Sequence, residues 1–167
     1  MIERRIQLRG ATHVAAGAAF ALIAHNYAGI GDDPYLFTAT SIIGALIPDI
    51  CHQGSTFGRK IPLLSWGINK TFGHRTITHS LIFLFGITAL LWYLVPQYPI
   101  IYIGMFIGVL SHLVLDALTP SGIQLLYPLK MKIRFPIYTR TGSMIEYIFF
   151  FSLIIIDITF IVYFGVT

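Results

Sequence analysis

Five of the six histidines and three of the seven acidic residues stand in short clusters at the edges of long apolar runs. His112 and Asp116, in Ser111-His112-Leu113-Val114-Leu115-Asp116, are four residues apart, so on a helix both leave the same face. Asp49 and His52, in Pro48-Asp49-Ile50-Cys51-His52, are three apart and do the same on a helix. His74 and His79 share Gly73-His74-Arg75-Thr76-Ile77-Thr78-His79-Ser80, His13 precedes an alanine-rich stretch, and Glu146 heads the last apolar run. Imidazole and carboxylate presented from facing helices are the ligand chemistry of a divalent ion, and metal sites in bundles are built this way. His13, Asp49, His52, His79, His112 and Asp116 are therefore candidate ligands, Cys51 is a further one, and His74 and Glu146 are candidate general bases. The set exceeds what one tetrahedral ion needs, so two or more ions fit it, with some residues standing behind the ligands. Each residue taken singly has a plainer reading as a hydrogen-bonded helix end, and His112 with Asp116 as a buried ion pair. That reading leaves unexplained why so many share one depth.

The elements that must position these groups follow from composition. Of 167 residues, 56% are hydrophobic and only 11% charged, against about 25% charged in an ordinary soluble domain. A domain of this size cannot cover its surface with so few polar groups, so lipid is the solvent for much of it. Thirteen Phe and nine Tyr exclude disorder, and a single cysteine excludes an internal disulfide and any multi-cysteine zinc or iron-sulfur framework. The expected fold is all-α, one membrane-embedded domain over residues 1–167 with about five transmembrane helices. The spans are Val14 to Ile30, Tyr35 to Ile50, Ile77 to Val95, Ile100 to Leu118 and Ile145 to Phe164, each near the ~20 residues that cross a bilayer. The first two are short and carry Ala15, Ala16, Gly17, Ala18, Ala19, Gly44 and Ala45, which suit close helix packing. The basic start and apolar run also have the form of a signal peptide, and His13 and His25 favour a retained first helix.

All 11 basic residues fall on one side of these spans: Arg4, Arg5 and Arg9 before the first, Arg59, Lys60, Lys70 and Arg75 between the second and third, Lys130, Lys132, Arg134 and Arg140 between the fourth and fifth. By the positive-inside rule the N-terminus and both basic loops are cytoplasmic. The two loops are long, about 26 residues each, and long loops carry function. In the first, Ile61, Leu63, Leu64, Trp66 and Ile68 suggest a segment lying in the membrane interface. In the second, Lys130, Lys132 and Arg134 alternate with Met131, Ile133 and Phe135, as a short strand or as basic side chains reaching for headgroups. Every candidate ligand then lies at the cytoplasmic end of its span. His25 is 12 residues beyond His13, ~18 Å along a helix, and is excluded from the cluster. Asp157 is ~16 Å from Glu146 and reads as a hydrogen-bonding residue within the bundle, or as a residue concerned with ion passage.

These motifs resemble the YdjM-like family of inner-membrane, metal-dependent hydrolases. The resemblance runs from His13 through Leu46-Ile47-Pro48-Asp49-Ile50-Cys51-His52, Phe57-Gly58-Arg59, Gly73-His74-Arg75 and Thr78-His79-Ser80. It continues in Gly108-x-x-Ser111-His112-x-x-x-Asp116-x-x-Thr119-Pro120-x-Gly122, Leu125-Leu126-Tyr127-Pro128, Arg134-Phe135-Pro136 and Gly142-x-x-x-Glu146, covering nearly the whole chain. It implies a prokaryotic inner-membrane protein with a hydrolase's chemistry. Where the family commonly reads Pro-Asp-x-Asp-His, Cys51 replaces the second acid; a thiolate there favours zinc over harder ions, or the position is not a ligand.

A divalent ion at headgroup level, zinc first among the candidates, suits hydrolysis of a phosphoester or ester in an amphiphilic substrate. Arg75 and Arg59 are candidate phosphate clamps or else positive-inside anchors. Thr78 and Ser80 are candidates to orient ligands or substrate, Thr78 equally a helix cap. Membrane lipids are the expected partners and nucleic acid is not, since the basic residues form no patch on a soluble surface. Two non-enzymatic readings remain: a membrane metal-binding or transport protein, for which the outer half offers only His25 and Asp157, and a scaffold holding anionic lipid or a partner through its basic loops.

Overall fold

The computed structural model describes residues 6–73, 75–136 and 142–163. The order is α1 (Ile6–Ala28), α2 (Pro34–Leu46), a 3-10 turn (Pro48–Cys51), α3 (Pro62–Phe72), a second 3-10 turn (Ile77–His79), α4 (Leu81–Leu94), α5 (Pro99–Ala117) and α6 (Met144–Tyr163). The expected all-α membrane bundle is what the chain forms. Pro34–Cys51, Pro99–Ala117 and Met144–Tyr163 are long and apolar enough to cross a membrane, and α4 is a shorter apolar helix. The outward faces of α4 and α6 (Ile82, Phe85, Trp92; Ile148, Phe151, Ile155) stay exposed, as lipid-facing surfaces do.

Helix boundaries follow local chemistry. The Asp33 carboxylate accepts from Tyr35 N and Leu36 N, and Pro34 and Pro99 sit in the first turns of α2 and α5, where no intrahelical N–H is needed. Pro48 cannot donate to the α2 ladder, so the helix tightens into the 3-10 turn that carries Asp49. The Ser80 hydroxyl accepts from Phe83 N and starts α4 at Leu81, later than the expected Ile77. At 14 residues, α4 spans only ~21 Å. Conversely, α1 begins at Ile6, so His13 lies two turns inside a helix rather than at its start. The expected interfacial segment is α3, with Leu63, Leu64 and Trp66 exposed and Lys70 Nζ 4.6 Å from the Trp66 ring centroid. Among the described residues of the second loop, an isolated antiparallel bridge, Ile123 to Ile133, stands where the strand alternative was open.

α2 packs between α1 and α5, with α4 and α6 on the outside against α5 and α1. Small residues make the central contacts. The Ser41 hydroxyl donates to Gly17 O at 2.8 Å, and a Cβ on Gly108 would stand 1.9 Å from Ser41 O, one on Gly44 2.6 Å from Met105 O. Gly104 and Gly108 form a Gly-x-x-x-Gly pair that lets the α5 backbone lie directly on α2. Gly108→Ala should therefore force the helices apart and cost about 1–3 kcal/mol. Gly86→Ala, where nothing lies within 4 Å of the added carbon, should not. Thermal unfolding of the two variants in detergent checks this.

Candidate metal centre

Four elements meet at one end of the bundle. The first 3-10 turn brings Asp49, the second His79, the last turns of α5 His112 and Asp116, and α1 His13. His79, His112, Asp116 and His13 are buried, whereas 23% of the Asp49 side chain is exposed. His112 Nδ1 lies 2.7 Å from Ala45 O and must be protonated to bond it, which leaves the Nε2 lone pair facing inward. That atom is 3.1 Å from His79 Nε2, 3.7 Å from Asp116 Oδ2 and 3.9 Å from Asp49 Oδ1. His79 Nε2 is in turn 3.2 Å from Asp116 Oδ2 and 3.6 Å from Asp49 Oδ1. Asp116 Oδ2 is buried without a hydrogen-bond partner.

These atoms fit a divalent ion. Donors about 2.0–2.1 Å from a tetrahedral centre stand about 3.3 Å from one another, and the five distances above bracket that value. Two imidazole nitrogens and two carboxylate oxygens suit zinc and related transition ions. Behind the donors, the Thr78 hydroxyl is 3.0 Å from His79 Nδ1, and Ala45 O holds His112, the outer support that metal-binding histidines usually have. His13 stacks on His112 (centroids 3.8 Å apart, planes 14° apart), with Nε2 3.6 Å from Asp116 Oδ1 and a buried, unpartnered Nδ1. The donors converge in two groups, Asp49 with His79 and His112, and His13 with His112 and Asp116, which share His112.

The other expected site residues lie around this core. The Cys51 thiol is fully buried, hydrogen-bonds the His79 side chain and lies 3.6 Å from Pro48 O. It touches a ligand-bearing ring without belonging to either converging group. His52 follows the 3-10 turn in extended backbone, so the helical i, i+3 relation to Asp49 does not hold and Asp49 alone enters the core. Glu146 completes the start of α6: it accepts from Gly142 N and from Thr12 Oγ1 (3.5 Å), while its own N–H donates to Ser143 Oγ. This arrangement ties α6 to the α1 residue beside His13, and Ser143-x-x-Glu146 is the sequence form of a capping box. Ser80 caps α4 and donates to Ile77 O, so capping falls to Ser80 and support of His79 to Thr78. Arg59 is exposed, its Nε bonded to Ser55 O. Arg75 is partly buried beside Asp116, its guanidinium reaching Asp116 Oδ1 and Thr119 Oγ1 at 2.9 Å each. Its φ of 61° is in the left-handed region, which costs a non-glycine residue about 1–3 kcal/mol and marks a position fixed by its surroundings. His74 lies outside the described residues. His25 bonds Ile30 O and Gly31 O at the far end of α1, away from the cluster as expected.

His112→Ala and His79→Ala should each abolish metal loading of the purified protein. Thr78→Val should keep one ion's worth of donors but weaken affinity by about 10–100-fold, the usual effect of losing an outer support. Cys51→Ala and His52→Ala should leave metal stoichiometry unchanged. Elemental analysis and competition with a chelating dye read both quantities.

The YdjM inner membrane protein family model matches residues 8–165. The uncharacterized protein YvsG of Bacillus subtilis (strain 168) is 45% identical over 139 residues, which is 83% of this chain and 85% of that protein. The inner membrane protein YdjM of Escherichia coli (strain K12) is 38% identical over 112 residues, 64% of this chain, and so is YdjM of Shigella flexneri; the match spans 57% of the length of those two proteins. No solved structure matches the chain. With a family match along nearly its entire length and a buried His/Asp group able to hold a metal ion, the chain belongs to the YdjM inner membrane protein family.

Proposed function

We propose that the protein is a metal-dependent hydrolase of the inner membrane, working at the cytoplasmic interface on a phosphoester or ester bond of an amphiphilic substrate. The observation that carries this reading is the asymmetric exposure of the donor set. His79, His112 and Asp116 are sealed in the bundle, but Asp49 keeps 23% of its side chain open. A structural site is closed on all sides, whereas a catalytic one keeps an accessible position. His79, His112, Asp49 and Asp116 would hold the ion, which supplies Lewis acidity toward a scissile oxygen and lowers the pKa of a water. The protein's own part is placement. Ala45 O and Thr78 orient the two imidazoles, Arg75 fixes Asp116, and the closed bundle excludes water from the far side.

What surrounds the opening supports the amphiphilic substrate class. Asn69 Nδ2 on α3 donates to Cys51 O, fastening a helix with exposed Leu63, Leu64 and Trp66 to the turn that carries Asp49. A chain held by these apolar side chains would bring its polar end to Asp49. The placement of all 11 basic residues supports the cytoplasmic side.

Purified protein in lipid nanodiscs, loaded with Zn²⁺ or Mn²⁺ and screened against phospholipids and soluble phosphoesters, should show turnover. Asp49→Asn should lower it by at least about 100-fold, the scale on which electrostatic catalytic groups act; no turnover on any ester under any metal overturns the reading. Impermeant thiol labelling of cysteines introduced near Lys60 and Lys132 should mark the cytoplasmic side and one near Gln97 the opposite side.

A further inference from the structure

Asp116 is asked to serve two sides at once. Its Oδ2 faces His79 and His112, and its Oδ1 faces His13 at 3.6 Å and Arg75 at 2.9 Å. In sites that hold two ions, a carboxylate of this kind bridges them, one oxygen to each, with the ions about 3.5–4 Å apart. Here His13 Nε2 and Asp116 Oδ1 form the corner of such a second position, yet a guanidinium already lies against Asp116 Oδ1.

We propose that Arg75 is the built-in second cation of the centre. It occupies the Asp116 Oδ1 side permanently, limits the protein to one divalent ion and holds Asp116 so that Oδ2 serves that ion. The inference rests on the metal reading above and adds its stoichiometry and the residue that sets it.

Several observations converge on Arg75. NH1 is anchored on Thr119 Oγ1, whose own hydroxyl donates to Asp116 O, so the α5 end fixes both the carboxylate and the cation beside it. Arg75 O accepts from Gln124 N, pinning the backbone from the other side. The left-handed backbone at Arg75 is a costly way to aim one side chain, and it is retained where the surroundings over-determine it. The guanidinium is largely shielded, with 11% of the side chain exposed, and always charged, so a divalent ion on the same oxygen would meet a fixed like charge at close range. His13, although drawn into the cluster by stacking on His112, therefore stands beside the bound ion rather than on it.

The test is metal stoichiometry, measured by elemental analysis of detergent-purified protein dialysed against excess Zn²⁺ under non-chelating conditions. Wild type should hold one ion per chain. Arg75→Gln, which keeps much of the side chain's length and removes its charge, should take up two. Arg75→Lys, which keeps the charge, should return to one; His13→Ala should keep one, and Arg75→Gln combined with His13→Ala should lose the second. Two ions in wild type, or one ion in Arg75→Gln with unchanged affinity, overturns the role of Arg75 alone. No ion in wild type overturns the metal reading itself and this inference with it. Should Arg75→Gln fail to elute as a folded monodisperse species, Arg75→Met, which also removes the charge and keeps much of the side chain's length, serves in its place. It should admit a second ion, and a stoichiometry fixed at one in that variant counts against the proposal.

Discussion

The close backbone contact between α2 and α5 is the constraint on which the site depends. Gly108 lets α5 lie on the Ser41 carbonyl and Gly44 lets α2 lie on the Met105 carbonyl, so the helices meet at a distance that no larger residue permits. One turn beyond Gly108, that distance brings His112 Nδ1 to Ala45 O. Ala45 is in the last turn of α2, where carbonyls lack intrahelical partners. Pro48, which cannot donate, and the 3-10 turn it starts keep that carbonyl from being claimed by a continuing helix. A single hydrogen bond thus satisfies an orphaned carbonyl, fixes the His112 tautomer and aims Nε2 at His79. Helix packing, helix termination and ligand orientation are one event here.

The same event explains which parts of the site were legible in the sequence. His112 and Asp116 were, because an uninterrupted apolar helix carries them and the four-residue spacing is then a geometric fact. The bundle itself was legible from apolar length, and the family from motifs that span the chain. Asp49 and His52 were legible only in part: the proline that delivers Asp49 also destroys the helical geometry that would have delivered His52. Thr78 and Ser80 exchanged their expected tasks because the segment before α4 is a 3-10 turn rather than the first turn of a helix. Two further signals stand in the sequence, Gly104-x-x-x-Gly108 for the packing and Ser143-x-x-Glu146 for the cap. The left-handed backbone of Arg75 had none, since arginine is not a residue type that announces such a conformation.

Charge explains why so many residues must cooperate. Two carboxylates drawn to a membrane-buried corner are costly unless countered, and neutral imidazoles do not counter them. Arg75 supplies one fixed positive charge against Asp116, at 2.9 Å and with little access to water. Asp49 keeps its partial hydration through the open side of the 3-10 turn. The centre therefore carries an excess of one negative charge when its histidines are neutral. A divalent cation reverses that excess, and an anionic group arriving from the interface would then restore balance.

This ordering of charges also separates the parts of the protein by task. The deep side, with His79, His112 and Asp116, is rigid because every group there is held by a second group: Thr78, Ala45 and Arg75. The shallow side, with Asp49, hangs on a four-residue turn held from outside by Ser55, whose hydroxyl donates to Asp49 O, and by Asn69 on α3. Through Asn69 the turn with the one partly exposed donor is joined to α3, whereas the buried donors are held from within the bundle. The depth of the site thus fixes the geometry of its donors, and its rim, rather than its core, joins that geometry to the exposed apolar helix α3.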